Sequence, residues 1–259
     1  DAKFQKDPVT FKDTIGKTYA SKMVSRSVIT KVFEKLSLNS SIDAVTMSDE
    51  DIQSEYGPAY AGKPGFTTSE GLVVINLDFA SLDTPMHEFG HVYLAHLKAT
   101  NPEAYAYVIS ESLKHEIRSE VEANYKENNE EQLGGEIFST LLGIENQVKT
   151  EEELDGKPMS KWQMILKSAN EASSIIDFFN RAFNSIFGTS TPYNVSMGDS
   201  LSTIIEGIGT DLLTNKNSVL SNLSRVDKKN IKKVMNDVLE EGEILDKLKN
   251  MDFIQKICR

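Results

Sequence analysis

The sequence predicts an α+β fold in which a small sheet lies beside one chemically marked helix and the remainder is mostly helical. Apolar residues recur at helical spacing along most of the 259 residues, and a single β-branched run of strand length, Gly71-Leu-Val-Val-Ile-Asn-Leu-Asp-Phe79, interrupts them. Soon after it, on a helical pattern, stands His87-Glu88-Phe89-Gly90-His91. A hydrophobic fraction of 39% and a charged fraction of 26% suit a globular chain long enough to bury a substantial core.

Taken in order, Phe11, Ile15, Tyr19, Met23, Val24, Val28, Val32, Phe33 and Leu36 predict one long amphipathic helix from about Thr10 to Leu38, ended by Asn39 and Ser40. Ile42, Ala44 and Val45 read as a short strand, and Ser48-Asp49-Glu50-Asp51 opens a turn or brief helix. Residues 56–70, punctuated by Gly57, Pro58, Gly62, Pro64 and Gly65, read as a loop. The strand Gly71–Phe79 follows and leads to Asp83-Thr84-Pro85, a cap and an early helical proline for a helix that Val92, Leu94, Ala95 and Leu97 continue. Tyr105 to Tyr125 predict a helix over Pro102–Asn128, and a third spans Glu130–Gly143. The acidic passage Glu145–Lys157 reads as a linker dividing residues 1–145 from a helical region over 158–259. In that region periodicity marks Trp162–Phe187, Asp199–Leu213 and Val226–Ile257.

The chemistry concentrates in His87-Glu88-Phe89-Gly90-His91. Residues four apart share a helix face, so His87 and His91 can converge on one ion while Glu88 projects beside them. This H-E-x-x-H pattern suits Zn²⁺, which takes two neutral imidazoles and a carboxylate and leaves a position for water, with Glu88 as the general base toward that water. With His at only 4 positions, the pattern arises by accident in roughly one such chain in a few hundred. A strand beside such a helix can pair with an extended peptide and present its scissile carbonyl.

Other features exclude function classes. A formal net charge of −11 repels phosphate backbones, so nucleic acid is not an expected partner. The single cysteine, Cys258, excludes an internal disulfide and is compatible with a reducing compartment such as the cytoplasm. No apolar run is long enough to span a membrane, and the polar start lacks the pattern of a signal peptide. A start at Asp1 rather than Met is read as a processed product or an excised domain.

The third ligand is open on the residues alone. A histidine ligand further along the same helix is excluded, because Leu94 and Leu97 stand where the metzincin pattern needs Gly and His. Glu131 and Glu136 remain, each with a small residue three positions on, Gly134 and Ser139. Tyr125, His115, Tyr93 and His96 are candidates to stabilise an oxyanion.

The segments Asn76-Leu-Asp, Asp83-Thr-Pro-Met-His-Glu-Phe-Gly-His91, Asn101-Pro-Glu-Ala-Tyr105 and Glu136-Ile-Phe-Ser-Thr-Leu-Leu-Gly143 resemble the gluzincin metallopeptidases. Within these they are closest to the metallopeptidase domains of phage polyvalent and virion-associated proteins, over about residues 40–145. The resemblance implies a zincin-like catalytic lobe, peptidase activity on a protein or peptide substrate, and membership of a larger polyprotein or virion assembly. It also implies Glu136 as the third zinc ligand, since Ser139 and Gly143 reproduce the small residue and glycine expected after it. Thr140 departs from the pattern, where an acid would orient a ligand histidine. The competing reading is an inactive zincin-like structural or interaction protein.

Overall fold

A computed structural model describes residues 10–12, 18–20, 23–124, 129–147, 192–215 and 217–237. It is mixed α+β and mostly helical. Two short strands, β1 (Thr10–Lys12) and β2 (Thr18–Ala20), pair antiparallel with Phe11 opposite Tyr19. The helix α1 occupies only Arg26–Leu38. The single helix expected from Thr10 is therefore corrected. Its first part is rich in Thr, Phe and Tyr, which suit a pleated strand, and Gly16 stands between the two strands. Apolar spacing is the same signal for both readings over so short a run. The buried residues of α1, Ile29, Val32, Phe33 and Leu36, follow the helical period as expected.

The main sheet has three strands in the order β3-β5-β4: β3 (Ala44–Met47) runs parallel to the central β5 (Val73–Asn76), and β4 (Gly65–Thr67) runs antiparallel to it. Helix α2 (Asp49–Tyr56), capped by Ser48 through Asp51 N–H, crosses between β3 and the rest. The expected loop over 56–70 thus contains a strand. Three residues beginning at a glycine and preceded by a proline leave no period to read. Because β5 is paired on both sides, its partner β4 forms the sheet edge on the side of the marked helix.

That helix, α3, spans Thr84–Thr100 and is buried nearly all round, from Thr84 through Gly90 without a break. The expected Asp83 side-chain cap is not formed: Asp83 already has helical dihedrals, and Ser81 organises the entry instead. Thr84 N–H donates to the Ser81 carbonyl at 3.0 Å, Ser81 N–H donates to Thr84 Oγ1 at 3.0 Å, and Ser81 Oγ donates to Asp83 Oδ1 at 2.7 Å. Pro85 takes the early helical position predicted for it.

The helix expected over Pro102–Asn128 is two, α4 (Pro102–Leu113) and α5 (Arg118–Asn124). His115 Nδ1 accepts Ile117 N–H at 3.2 Å and turns the chain between them, a local bond that competes with the helical ladder. Helix α6 (Glu130–Glu145) opens with a capping box between Asn129 and Gln132 and packs along α3 and α4. Beyond it, α7 (Leu201–Thr214) and helical backbone over 225–237 are described; the periodic stretch Trp162–Phe187 lies outside the described residues. Ile204, Ile208, Leu212, Leu220 and Ile231 belong to the same continuous apolar core as Phe89, Val92, Ile137 and Leu141. Asn39 Nδ2 donates to the Leu213 carbonyl at 2.9 Å and Ser218 Oγ to the Asn39 carbonyl at 2.5 Å, tying α1 to that part of the chain. No helix among the described residues is long and apolar enough to cross a membrane.

Candidate metal centre

Small residues bring α3 and α6 together. A Cβ on Gly143 would stand 2.8 Å from the Asp83 carbonyl oxygen, and one on Gly90 would stand 3.1 Å from Ser139 Oγ and from Leu142 Cδ2. At that separation a glutamate one turn before Ser139 reaches the histidines of α3.

His87, His91 and Glu136 converge there, one ligand atom of each lying within 4.8 Å of the others, and form a group able to hold a metal ion. The two Nε2 atoms face each other at 3.1 Å, with the rings at 76°. Glu136 Oε2 lies 3.5 Å from His87 Nε2, and Oε1 lies 3.8 Å from His91 Nε2. Ligands held about 2.0–2.1 Å from a tetrahedral ion are separated by roughly 3.3–3.4 Å; the closest donor pairs, 3.1–3.8 Å apart, approach that spacing, although one atom from each residue spans up to 4.8 Å. Two imidazoles and a carboxylate are also the donor set that zinc accepts. Ser139 Oγ approaches His91 Nδ1 at 3.4 Å and supplies the orienting contact that Thr140 does not.

Glu131, the other candidate ligand, is directed elsewhere. Lys98 Nζ donates to its Oε1 at 2.6 Å and Tyr105 Oη at 2.8 Å. Burial pushes its pKa up, but these two hydrogen bonds and the lysine charge outweigh that and hold it below the usual carboxylate range. Gly134, three residues on, serves the approach to α4: its Cβ would stand 2.7 Å from Ile109 Cγ2.

Glu88 is 6% exposed and faces β4. Thr67 Oγ1 donates to its Oε2 at 3.1 Å, and Gly65 lies so close that a Cβ there would stand 2.9 Å from Glu88 Cγ. The edge strand and the acid beside the candidate ligands are thus in direct contact.

Of the four oxyanion candidates, none of the described ones faces the centre. Tyr93 is buried in the core, stacked on Phe138, and desolvation with the Asp211 charge raises its pKa. His96 lies two and a half turns of α3 beyond His87, on the opposite face of the helix, and lines a separate cavity of ≈ 270 Å³ with Asn101, Tyr193 and Asn194; burial lowers its pKa. His115 is committed to the α4–α5 turn. Tyr125 lies outside the described residues.

One charged group on the segment that leads to β4 escaped the sequence reading. Lys63, in the turn before β4, is half-buried and lies in the electrostatic field of both Glu88 and Glu136. A lysine between Gly62 and Pro64 carries no period or motif that would have singled it out. Tested against family models, curated proteins and solved structures, the chain matches none.

Proposed function

We propose that this chain is a zinc-dependent peptidase with a zincin-like catalytic region of the gluzincin kind, in which His87, His91 and Glu136 hold Zn²⁺ and Glu88 is the catalytic base. The observation that carries the reading is the convergence of three zinc-type donors on one point with a buried glutamate beside them at a sheet edge. Zinc bound there would supply a Lewis acid that acidifies water and polarises a carbonyl. The chain's own residues supply the rest. Glu88 takes a proton from water as the water oxygen adds to the peptide carbon, then delivers it to the departing amine nitrogen. Thr67, through its bond to Oε2, fixes the carboxylate's orientation. The outer edge of β4 offers backbone groups to an extended peptide next to that carboxylate. Protein substrates, rather than nucleic acid, agree with the charge of −11, and a place in a larger polyprotein or virion assembly agrees with the resemblance to phage polyvalent and virion-associated metallopeptidase domains.

Cleavage of fluorescein-labelled casein by the zinc-loaded protein tests the reading. Glu88→Gln is expected to lower the rate roughly 10²- to 10⁴-fold while zinc content and the circular dichroism spectrum stay unchanged. A zinc-loaded wild type without activity on casein or a peptide library would favour the inactive structural reading instead.

A further inference from the structure

The ≈ 270 Å³ cavity beside His96 lies between two walls. One is a face of α3, where Tyr93, His96, Leu97, Thr100 and Asn101 recur every three or four residues. The other is the chain over residues 192–195 together with Val219, and a buried carboxylate pins it. Asp211 accepts Val219 N–H at 3.2 Å on Oδ2 and also accepts Tyr193 N–H, while Asn215 Nδ2 donates to its Oδ1 at 2.6 Å. The Tyr193 hydroxyl donates to Asp199 Oδ2 at 2.7 Å, and its ring lies so close to α7 that a Cβ on Gly207 would stand 2.5 Å from it. The cavity is therefore preformed between fixed elements.

Two polar groups of the α3 wall keep hydrogen-bonding capacity that no described residue uses. Tyr93 is 2% exposed, and its hydroxyl enters no hydrogen bond among the described residues. His96 Nδ1 is buried and likewise without a partner. Burial lowers the His96 pKa against the opposing Asp227 charge, so the ring is neutral and offers one donor and one acceptor. Buried groups of this kind are normally satisfied, and two in one wall suit a molecule that brings their partners. Asn101 Oδ1 accepts Ala104 N–H at 3.1 Å and its amide N–H groups stay available, while the exposed Asn194 adds a second amide. None of the described lining side chains is an acid, a lysine or an arginine, so the cavity offers no counter-charge to an ion. Leu97, Val195 and Val219 give it apolar sides.

We propose that this cavity is a binding site for a small uncharged planar heterocycle carrying N–H and C=O groups side by side, a cyclic amide of the nucleobase kind. A flat ring covers the apolar sides with few rotors to freeze. Its edge pairs with Tyr93, His96 and the asparagine amides, each of which can answer a donor or an acceptor. An apolar cavity of roughly 150 Å³ accepts benzene, so this one has room for a ring with its substituents. The site is separate from the metal centre, which lies on another face of α3.

Uracil titrated into the full chain and followed by saturation-transfer NMR tests this. Wild type is expected to bind uracil, and to bind 1,3-dimethyluracil, the same ring without N–H groups, about tenfold more weakly or not at all. Tyr93→Phe removes only a hydroxyl that bonds nothing among the described residues. It should lower uracil affinity about three- to tenfold while melting temperature and zinc uptake match wild type. His96→Phe should weaken uracil binding to a similar extent, and Asn194→Ala, at an exposed residue, decides the matter where neither wall variant folds. A wild type that shows no saturation transfer to uracil overturns the proposal. So does binding that the folded variants leave unchanged, or that 1,3-dimethyluracil matches. Each of these results leaves the metal centre standing.

Discussion

Glu131 and Glu136 lie five residues apart on the same helix and meet opposite fates. Around Glu131, α6 turns its small residue, Gly134, toward α4, and Lys98 and Tyr105 supply the donors the acid needs. Around Glu136, α6 turns Ser139 and Gly143 toward α3, and the near neighbours are the imidazoles of His87 and His91. An acid near a cation becomes one half of a surface ion pair worth at most about 1 kcal/mol. An acid brought against two imidazoles on a neighbouring helix becomes part of a group able to hold a metal ion. What separates the two fates is the face on which the small side chains fall, since that decides which helix approaches closely.

The comparison breaks most sharply at Gly143. Gly143→Ala sets a methyl group 2.8 Å from the Asp83 carbonyl, and backbone there has little room to yield. Thermal or urea unfolding should show a loss of about 1–3 kcal/mol, and zinc affinity should fall because Glu136 moves away from the histidines. Gly135→Ala, whose added Cβ would meet only Leu94 Cδ1 at 3.7 Å, is the matched control: zinc affinity should not change, and stability should rise by up to about 1 kcal/mol from helix propensity. A smaller effect is expected at Ser139, where the 3.4 Å contact to His91 Nδ1 is long. Ser139→Ala should weaken zinc binding about tenfold, measured by chelator competition, with stability nearly unchanged.

The smallest effect belongs to Glu131. Its folded pKa lies below the unfolded value, so its contribution is present above the ordinary glutamate range and is lost as pH falls through the folded pKa. Glu131→Gln should therefore cost a few tenths of a kcal/mol near neutral pH, where solvent screens the half-exposed pair, and nothing at acid pH, where both proteins carry a neutral side chain. Zinc content should be untouched at both. Urea titrations of the two proteins at neutral and acid pH read this directly.

The centre was legible because its information is local. His87, Glu88 and His91 need only the helical period to be brought together, whereas that period alone does not separate Glu136 from Glu131, whose roles depend on which face of the second helix meets α3. The parts that were not legible depend on long-range pairing. Strand β4 exists because β5 offers an edge to Gly65–Thr67, not because those residues show alternation. The strands β1 and β2 stand where apolar spacing suited a helix equally well. The segment around Lys63 is placed by Asp49 and Asn76, 14 and 13 residues away in sequence, which hold the backbone on either side of it. The Asp83 cap and the unbroken helix after Pro102 failed for a different reason: Ser81 and His115 made local hydrogen bonds that intrinsic propensity does not anticipate.

Metal content measured by inductively coupled plasma mass spectrometry tests the central claim most directly, on wild type beside His87→Ala, Glu136→Ala and Glu131→Ala. The account predicts close to one zinc per chain in wild type and in Glu131→Ala, and little in the other two variants. Zinc retained by Glu136→Ala and lost from Glu131→Ala would contradict it, as would a wild type that stays metal-free after incubation with Zn²⁺.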